Sequence, residues 1–319
     1  MILDGIKELW FVSSCLLPKN ANTEVTYLLE ALNRTSDVCE KRGRPLPQCF
    51  RITGDNATGE LKNQTVYKFM GFLTFLGVSR ITETAHLRPG HSHNKQDRRF
   101  AAGAEAIKKT SLAPLQDEGD FATVLQNDLL PLPGYEKQEI IRMCASWDWR
   151  AFFASVELNV SGHTSTRGKL DAGETACHVF RFVLRQDLHT ACFKEVTKIE
   201  APTSAWPDLE ENPRDVILLV KKYMSSSCLS QAPQVFCPAV LYASLSLTDL
   251  MPAPSVPLTQ VQKDELEKTA IFFEKPPRSY DRTASYLREL IACDGTPLGE
   301  PTSLRLLQQY FSGAPPTWS

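Results

Sequence analysis

The sequence predicts an α/β fold in which strands and helices alternate over residues 1–112. Three apolar runs have the composition of strands and cover residues 9–17, 48–53 and 80–87. After each run, apolar residues recur at the period of a helix. The order strand, helix, strand, helix, strand, helix is typical of strands joined by crossover helices.

The helix limits follow from capping residues. Asn22 is expected to cap the first helix, which ends before Gly43. Asn63 caps the second helix, and Gly77 closes it. A third helix is expected from about Asn94 to Lys109, after the turn at Pro89 and Gly90.

The rest of the chain has a different character. Residues 113–236 are expected to form a β-rich extension or second domain. Its predicted strands cover residues 152–160, 176–184 and 191–199. Residues 237–319 begin with a proline-rich linker and contain two short helices, at 260–273 and 283–292.

Composition limits the classes of function. A formal net charge of −2 gives no global basic field, so any nucleic-acid contact must be local. No apolar run is long enough to cross a bilayer. The start of the sequence lacks a cationic secretory segment, and the nine cysteines include no C-x-x-C pair. These features predict a nuclear or cytoplasmic protein that is not secreted and has no membrane partner.

Two segments carry side chains suited to metal chemistry. They are GDNATGELKN at 54–63 and RPGHSHNKQDRRF at 88–100. Asp55 is expected at the carboxyl end of a strand, where ligands collect in open α/β sheets. Asp97 is expected in the first turns of a helix, on a partly inward face shared with Phe100 and Ala101. Two carboxylates on neighbouring elements suit Mg²⁺ or Mn²⁺, the cations of phosphoryl transfer.

Each assignment competes with a local structural role. Asp55 also fits a turn after a strand, and Asp97 fits the favourable dipole of a helix start. Glu60 also fits a solvated or capping position in a loop, and His91 and His93 fit hydrogen-bonded turn positions. The basic residues of 80–109 form either a phosphate-binding patch or a solvated helix face.

The motifs D-N-x-x-x-E-x-K-N at 55–63 and G-H-S-H-x-x-x-D-x-x-F at 90–100 resemble those of an uncharacterised, transposon-associated family. That family is similar in layout to ribonuclease-H-like transposases and integrases. The resemblance covers roughly residues 9–235 and implies a ribonuclease-H-like mixed sheet with crossover helices. In such folds one acid lies on the first strand, a second ends the fourth strand, and a third lies on a late helix. By position Asp55 matches the second acid and Asp97 the third.

The resemblance also implies roles for neighbouring residues. Asp55 and Asp97 would hold Mg²⁺ or Mn²⁺, while Glu60, His91 and His93 would complete the site or orient water and phosphate. The implied DNA-contacting residues are Lys62, Arg88, Lys95, Arg98 and Arg99. Only two strands fit before Asn22, so the first strand and its acid are expected to be missing from this sequence, and Asp4 is a poor substitute.

The sequence therefore predicts a transposase- or integrase-like, metal-dependent DNA-processing domain that is inactive as given. The alternatives are a domesticated, non-catalytic nucleic-acid-binding or scaffold protein, and a nonfunctional fragment of a transposable element. A zinc set formed by Cys177, His178, His189 and Cys192 is a further alternative. Packing is favoured for His178, because it shares a strand face with Phe180 and Phe182.

Overall fold

The structure is a computed structural model. It describes residues 2–3, 7–13, 17–54, 62–87, 95–110, 117–129, 138–158, 177–188, 211–223, 225–226, 229–230, 232–274, 280–296 and 299–312. The strands in these residues are β1 (Ile2–Leu3), β2 (Lys7–Ser13), β3 (Cys49–Gly54), β4 (Ile81–His86), β5 (Glu139–Met143), β6 (Val179–Leu184), β7 (Val216–Lys221) and β8 (Gln234–Cys237). The α-helices are α1 (Ala21–Lys41), α2 (Gln64–Leu76), α3 (Lys95–Lys109), α4 (Glu118–Asn127), α5 (Trp149–Phe152), α6 (Ala239–Ala243), α7 (Gln260–Glu274), α8 (Asp281–Cys293) and α9 (Arg305–Phe311).

The chain forms two compact units, each assembled from three separated segments. Unit 1 comprises Met1–Pro18, His93–Trp147 and Pro252–Thr302. Unit 2 comprises Lys19–Ser92, Asp148–Met251 and Ser303–Ser319. The sequence-based division into 1–112, 113–236 and 237–319 does not coincide with the limits of these units, and it stays a prediction.

Unit 1 contains a three-stranded sheet in the order β1, β2, β5. The two strands that fit before α1, β1 and β2, pair antiparallel, with Ile2 opposite Glu8. The third strand, β5, pairs with β2 in parallel from Leu9 opposite Glu139 to Ser13 opposite Met143. One core cluster of the unit joins Val12 of β2 to buried side chains of α3 and α4.

Unit 2 contains a five-stranded mixed sheet in the order β3, β4, β6, β7, β8. The predicted parallel pairing of β3 with β4 is confirmed, from Cys49 opposite Ile81 to Gly54 opposite His86. The remaining neighbours pair antiparallel. The predicted mixed α/β class with a crossover helix is therefore confirmed, since α2 connects the two parallel strands.

Helix α2 is positioned by both of its predicted ends. The side chain of Asn63 accepts the N–H of Val66 at 3.0 Å, and Gly77 closes the helix with a left-handed φ of 78°. Between these ends α2 is almost wholly apolar and buried, as expected for a helix covered on all sides. A polar contact also ties α2 to the sheet, because the hydroxyls of Thr74 and Thr82 lie 2.9 Å apart.

Two local predictions are wrong, and a third is not tested. The first helix is capped by Asn20 rather than Asn22, since the Asn20 side chain accepts the N–H groups of Asn22 and Thr23. The strand predicted at 152–160 is wrong, because Asp148 caps the short helix α5 by accepting the N–H of Ala151. The strand predicted at 191–199 lies outside the described residues. By contrast β6, α7 and α8 occupy the predicted places.

Three charged side chains lie opposite one another on neighbouring strands of the sheet of unit 2. Glu83 on β4 lies opposite Arg51 on β3 and opposite Arg181 on β6. Arg181 Nε donates to Glu83 Oε2 at 2.9 Å, and Arg51 Nε lies 2.5 Å from Glu83 Oε1. Glu83 is fully buried, so these two cations compensate the charge that burial would otherwise make costly. We call this group the cross-strand triad.

No helix among the described residues is long and apolar enough to cross a membrane.

Candidate functional site

The carboxyl ends of β3 and β4 meet at one edge of the five-stranded sheet, because these strands run parallel and Gly54 lies opposite His86. The start of β6 and the end of β7 reach the same edge, since both strands are antiparallel to their neighbours. The N–H of His86 donates to the carbonyl of His178 at 2.7 Å. The ends of four strands are thus brought together in unit 2.

Four polar side chains lie at this edge: Tyr67, His86, His178 and Tyr223. We call them the polar edge. The hydroxyl of Tyr67 lies 3.1 Å from Nε2 of His86 and shares a hydrogen bond with it. The ring of His178 stacks on that of Tyr223, with centroids 5.2 Å apart and planes inclined by 11°. Tyr67 and His178 are fully buried.

Burial raises the pKa of Tyr67 well above its ordinary value. A side-chain hydrogen bond with Thr84 opposes this rise, and the buried Cys177 adds to it. Tyr67 is therefore a neutral phenol at physiological pH, and it forms a hydrogen-bonding pair with His86. Such a pair suits the orientation of water or a phosphate oxygen better than the neutralisation of a dication.

Several of the predicted site residues lie outside the described residues. They are Asp55, Glu60, Arg88, His91 and His93. Asp55 follows Gly54 of β3 directly in the sequence. The predicted placement after a strand is thus matched by β3, whereas the position of the Asp55 carboxylate stays a prediction.

Asp97 belongs to α3, so its predicted helical placement is confirmed, although its side chain is outside the described set. The prediction that this face of α3 points partly inward is wrong for the residues of the face whose side chains the structure describes. Phe100 is 55% exposed, and Ala101 is also exposed. Phe100 instead makes an edge-to-face contact with Trp10, with ring centroids 5.5 Å apart. Asp55 falls in unit 2 and Asp97 in unit 1, and the pairing of their carboxylates stays a prediction.

The basic residues predicted to contact DNA have different surroundings. Arg98 is exposed, and Lys95 lies in α3 with its side chain outside the described set. Arg99 is buried and donates from Nε and Nη2 to the two carboxylate oxygens of Glu8, at 2.7 and 2.9 Å. Lys62 is buried as well. A phosphate contact by Arg99 would require its ion pair with Glu8 to open, so Arg98 is the better placed residue.

Among the described residues, no three His, Cys, Asp or Glu side chains are grouped to hold a metal ion. Of the alternative zinc set, His189 and Cys192 lie outside those residues. Cys177 and His178 are both buried at the start of β6. The expected packing role of His178 is confirmed, because its ring stacks on Tyr223.

Sequence reasoning missed Tyr67 and Tyr223, and it noted His86 only as part of a basic segment. One signal was available. Tyr67 lies four residues after the capping Asn63, on the first turn of a helix that starts beside the predicted site. Its contact with His86 spans 19 residues and depends on the crossover of α2, which the periodicity of the sequence alone does not resolve.

Comparison with known proteins places the chain in a family. Residues 1–195 match the family described as Domain of unknown function (DUF7869). This match covers more than half of the 319 residues, so the chain belongs to that family. No curated protein and no solved structure matches the chain.

Proposed function

We propose that this chain carries a DNA-processing domain of the transposase and integrase kind, with a divalent-cation site at the carboxyl edge of β3 and β4. The observation that supports this most is the β3–α2–β4 crossover. It ends β3 directly before Asp55 and gathers the polar edge around the end of β4. In open α/β sheets, ligands bind outside the carboxyl ends of parallel strands.

The donor types at this edge fit a hard cation and an anionic substrate. Asp55 is the proposed carboxylate ligand, and the carboxylate of Glu60 is a further candidate. Carboxylate oxygen is the ligand that Mg²⁺ and Mn²⁺ prefer. When bound, such an ion polarises a phosphoryl oxygen and activates water. The Tyr67–His86 pair would hydrogen-bond a phosphate oxygen or hold the attacking water in position.

The order of elements along the chain is compatible with the ribonuclease-H-like layout without establishing it, since the hairpin and the two parallel strands belong to separate sheets. A hairpin precedes α1, and two parallel strands follow it, joined by a helix. That is the order which the proposed fold has after its first strand. The exposed Arg98 on α3 gives the proposed domain one cation placed for phosphate contact.

The number of carboxylates at the proposed site determines how much DNA cleavage we expect from these 319 residues. Two dications held close together repel strongly, and several carboxylates are needed to offset that repulsion. Only Asp55 and Asp97 are assigned to the proposed fold's acids, and neutral histidines add no negative charge. We therefore expect cation-assisted DNA binding with little or no strand cleavage.

The experiment combines binding and cleavage. Fluorescence anisotropy with labelled duplex DNA is measured in EDTA and in Mg²⁺, and supercoiled plasmid is incubated with Mg²⁺ or Mn²⁺. The variants are Asp55→Asn and Asp97→Asn, and the matched control is Asp249→Asn, an exposed aspartate of unit 2 far along the chain.

The expected result is DNA binding that Mg²⁺ strengthens in the unaltered chain and in Asp249→Asn, but not in Asp55→Asn. Binding that is indifferent to Mg²⁺ and to Asp55 would favour the non-catalytic nucleic-acid-binding alternative. Plasmid cleavage that disappears in both site variants would show that the charge argument is wrong and that a further residue completes the site.

A further inference from the structure

Helix α7 presents one face with exposed apolar side chains. The opposite face packs on α8, where Lys263 pairs with Asp294 just after α8 at 2.8 Å and Ala270 is fully buried. On the exposed face, Val261 is 67% exposed, and Phe272, whose ring also contacts that of Phe273, is 50% exposed. Two isolated apolar side chains at a surface would need no explanation, but these two are eleven residues apart on one helix.

The residues between them complete a regular stripe. The positions Val261, Glu265, Lys268 and Phe272 follow the spacing four, three, four, which is the spacing of a coiled-coil seam. Glu265 and Lys268 are exposed like the apolar pair. Neither forms an ion pair within the part of the chain that the structure describes. We call these four residues the α7 seam.

The α7 seam is complementary to itself. When two copies of α7 lie antiparallel across a two-fold axis at the middle of the seam, Val261 of each copy faces Phe272 of the other. Glu265 then faces Lys268, and this pair forms twice. In a parallel arrangement each charge would face its own kind, which is unfavourable. A two-fold interface requires a surface of this kind, in which one patch matches itself.

The flanking residues fit the same arrangement. Ile271, which is 40% exposed, borders the seam on the same side as Asp264 and would lie beside Asp264 of the other copy. Gln262 and Thr269 border the other side and would lie beside each other, and the carboxylate of Asp264 is already hydrogen-bonded to Gln260 at 2.8 Å. No two like charges meet anywhere along the pairing. The occupant of this face is therefore specified by charge as well as by apolar surface.

We propose that two copies of this chain associate through the α7 seam as an antiparallel, two-fold dimer. The seam from Val261 to Phe272 is only about 16 Å long at about 1.5 Å per residue. A contact of that length belongs with small, transient interfaces. We expect a dimer that dissociates on dilution and whose stability falls as salt screens its ion pairs.

Sedimentation velocity of the full chain, over protein concentrations from about 5 to about 500 μM, tests the proposal across the range of weak association. The expected mass rises from that of a 35.7 kDa monomer towards twice that value. Glu265→Lys places lysine against lysine and should weaken association at least tenfold. Lys268→Glu should do the same with the opposite charge.

The double variant Glu265→Lys/Lys268→Glu exchanges the partners and should restore association. The matched control is Glu289→Lys, an equal change of charge at an exposed position of α8 outside the seam, which should leave association unchanged. Because all of these side chains are exposed, circular dichroism spectra should be alike. A chain that stays monomeric at every concentration would overturn the proposal. So would a dimer that the single variants do not weaken, or one that the double variant does not restore.

Discussion

Removal of Glu83 is expected to be among the most damaging single changes to unit 2. Glu83 lies at the centre of β4 and is fully buried within the cross-strand triad. Its Oε2 accepts from Nε of Arg181 at 2.9 Å and lies 2.8 Å from Nη2 of the same side chain. Glu83→Ala therefore removes the charge on which a neighbouring guanidinium depends.

The magnitude follows from the exposure of the two arginines. The Arg181 side chain is 10% exposed, so the alanine variant leaves a nearly buried cation without its carboxylate. Breaking a buried ion pair on one side costs about 3–5 kcal/mol. The Arg51 side chain is 42% exposed, so water can solvate its charge when Glu83 is removed. The loss of the Arg51–Glu83 ion pair therefore adds only about 0–1 kcal/mol to the cost of Glu83→Ala. We expect Glu83→Ala to cost about 3–5 kcal/mol and Arg51→Ala to cost about 1 kcal/mol or less.

A double variant separates charge from packing. The face that carries Glu83 and Arg181 also carries the buried apolar side chains of Ala85, Val183 and Leu219. Replacing both members of a buried pair with apolar residues of similar size is often neutral or stabilising. Glu83→Leu/Arg181→Met should therefore be substantially more stable than Glu83→Ala.

The assay is urea denaturation followed by far-ultraviolet circular dichroism, with the free energy of unfolding extrapolated to water. The reasoning would be refuted if Glu83→Ala lay within about 1 kcal/mol of the unaltered chain, the usual range for an exposed pair. It would also be refuted if the double variant were no more stable than the single one.

Three further predictions concern unit 1. Arg99→Ala should lower the stability of the chain by about 3–5 kcal/mol, because it leaves Glu8 buried and unpaired. Arg98→Ala should leave stability unchanged and weaken DNA binding. Urea denaturation compares the stability of the two variants, and fluorescence anisotropy compares their DNA binding. Equal effects of both variants on DNA binding would contradict this contrast. Burial disfavours the charged form of Asp117, but the N–H of Asp120 and the guanidinium of Arg282 outweigh it and lower the pKa of Asp117. Since the folded-state pKa is depressed, this stabilisation is present above the unfolded value of about 4 and is lost as pH falls through the folded value. Asp117→Ala should therefore destabilise the chain by about 1 kcal/mol at pH 7 and by less at pH 3, and an equal loss at both pH values would contradict the assignment.

The sequence predicted those parts of the fold that depend on local signals. Asn63 and Gly77 mark both ends of α2, because a side-chain cap and a left-handed turn are properties of a few consecutive residues. The same kind of signal misled at α1, where two asparagines lie two residues apart and Asn20 rather than Asn22 accepts the bonds. The helix α5 was missed because four residues are too few to display a period.

Partners distant along the chain were beyond local reasoning. The strand that pairs in parallel with β2 begins at Glu139, and periodicity carries no information about that choice. Arg99 has the composition of a phosphate-binding residue, but its partner is Glu8, 91 residues away. The polar edge likewise depends on a contact between Tyr67 and His86, which only the packing of α2 on the sheet creates.

The most direct test of the proposed site is the effect of Mn²⁺ on the imidazole signals of His86 in proton NMR spectra. A paramagnetic ion held by Asp55 at the carboxyl edge of β3 and β4 should broaden these signals at low Mn²⁺ concentrations. The broadening should be lost in Asp55→Asn and retained in Asp249→Asn, and assignment of the signals uses His86→Gln. Broadening of His86 that is the same in Asp55→Asn as in the unaltered chain, or no selective broadening at all, would contradict a divalent-cation site at this edge.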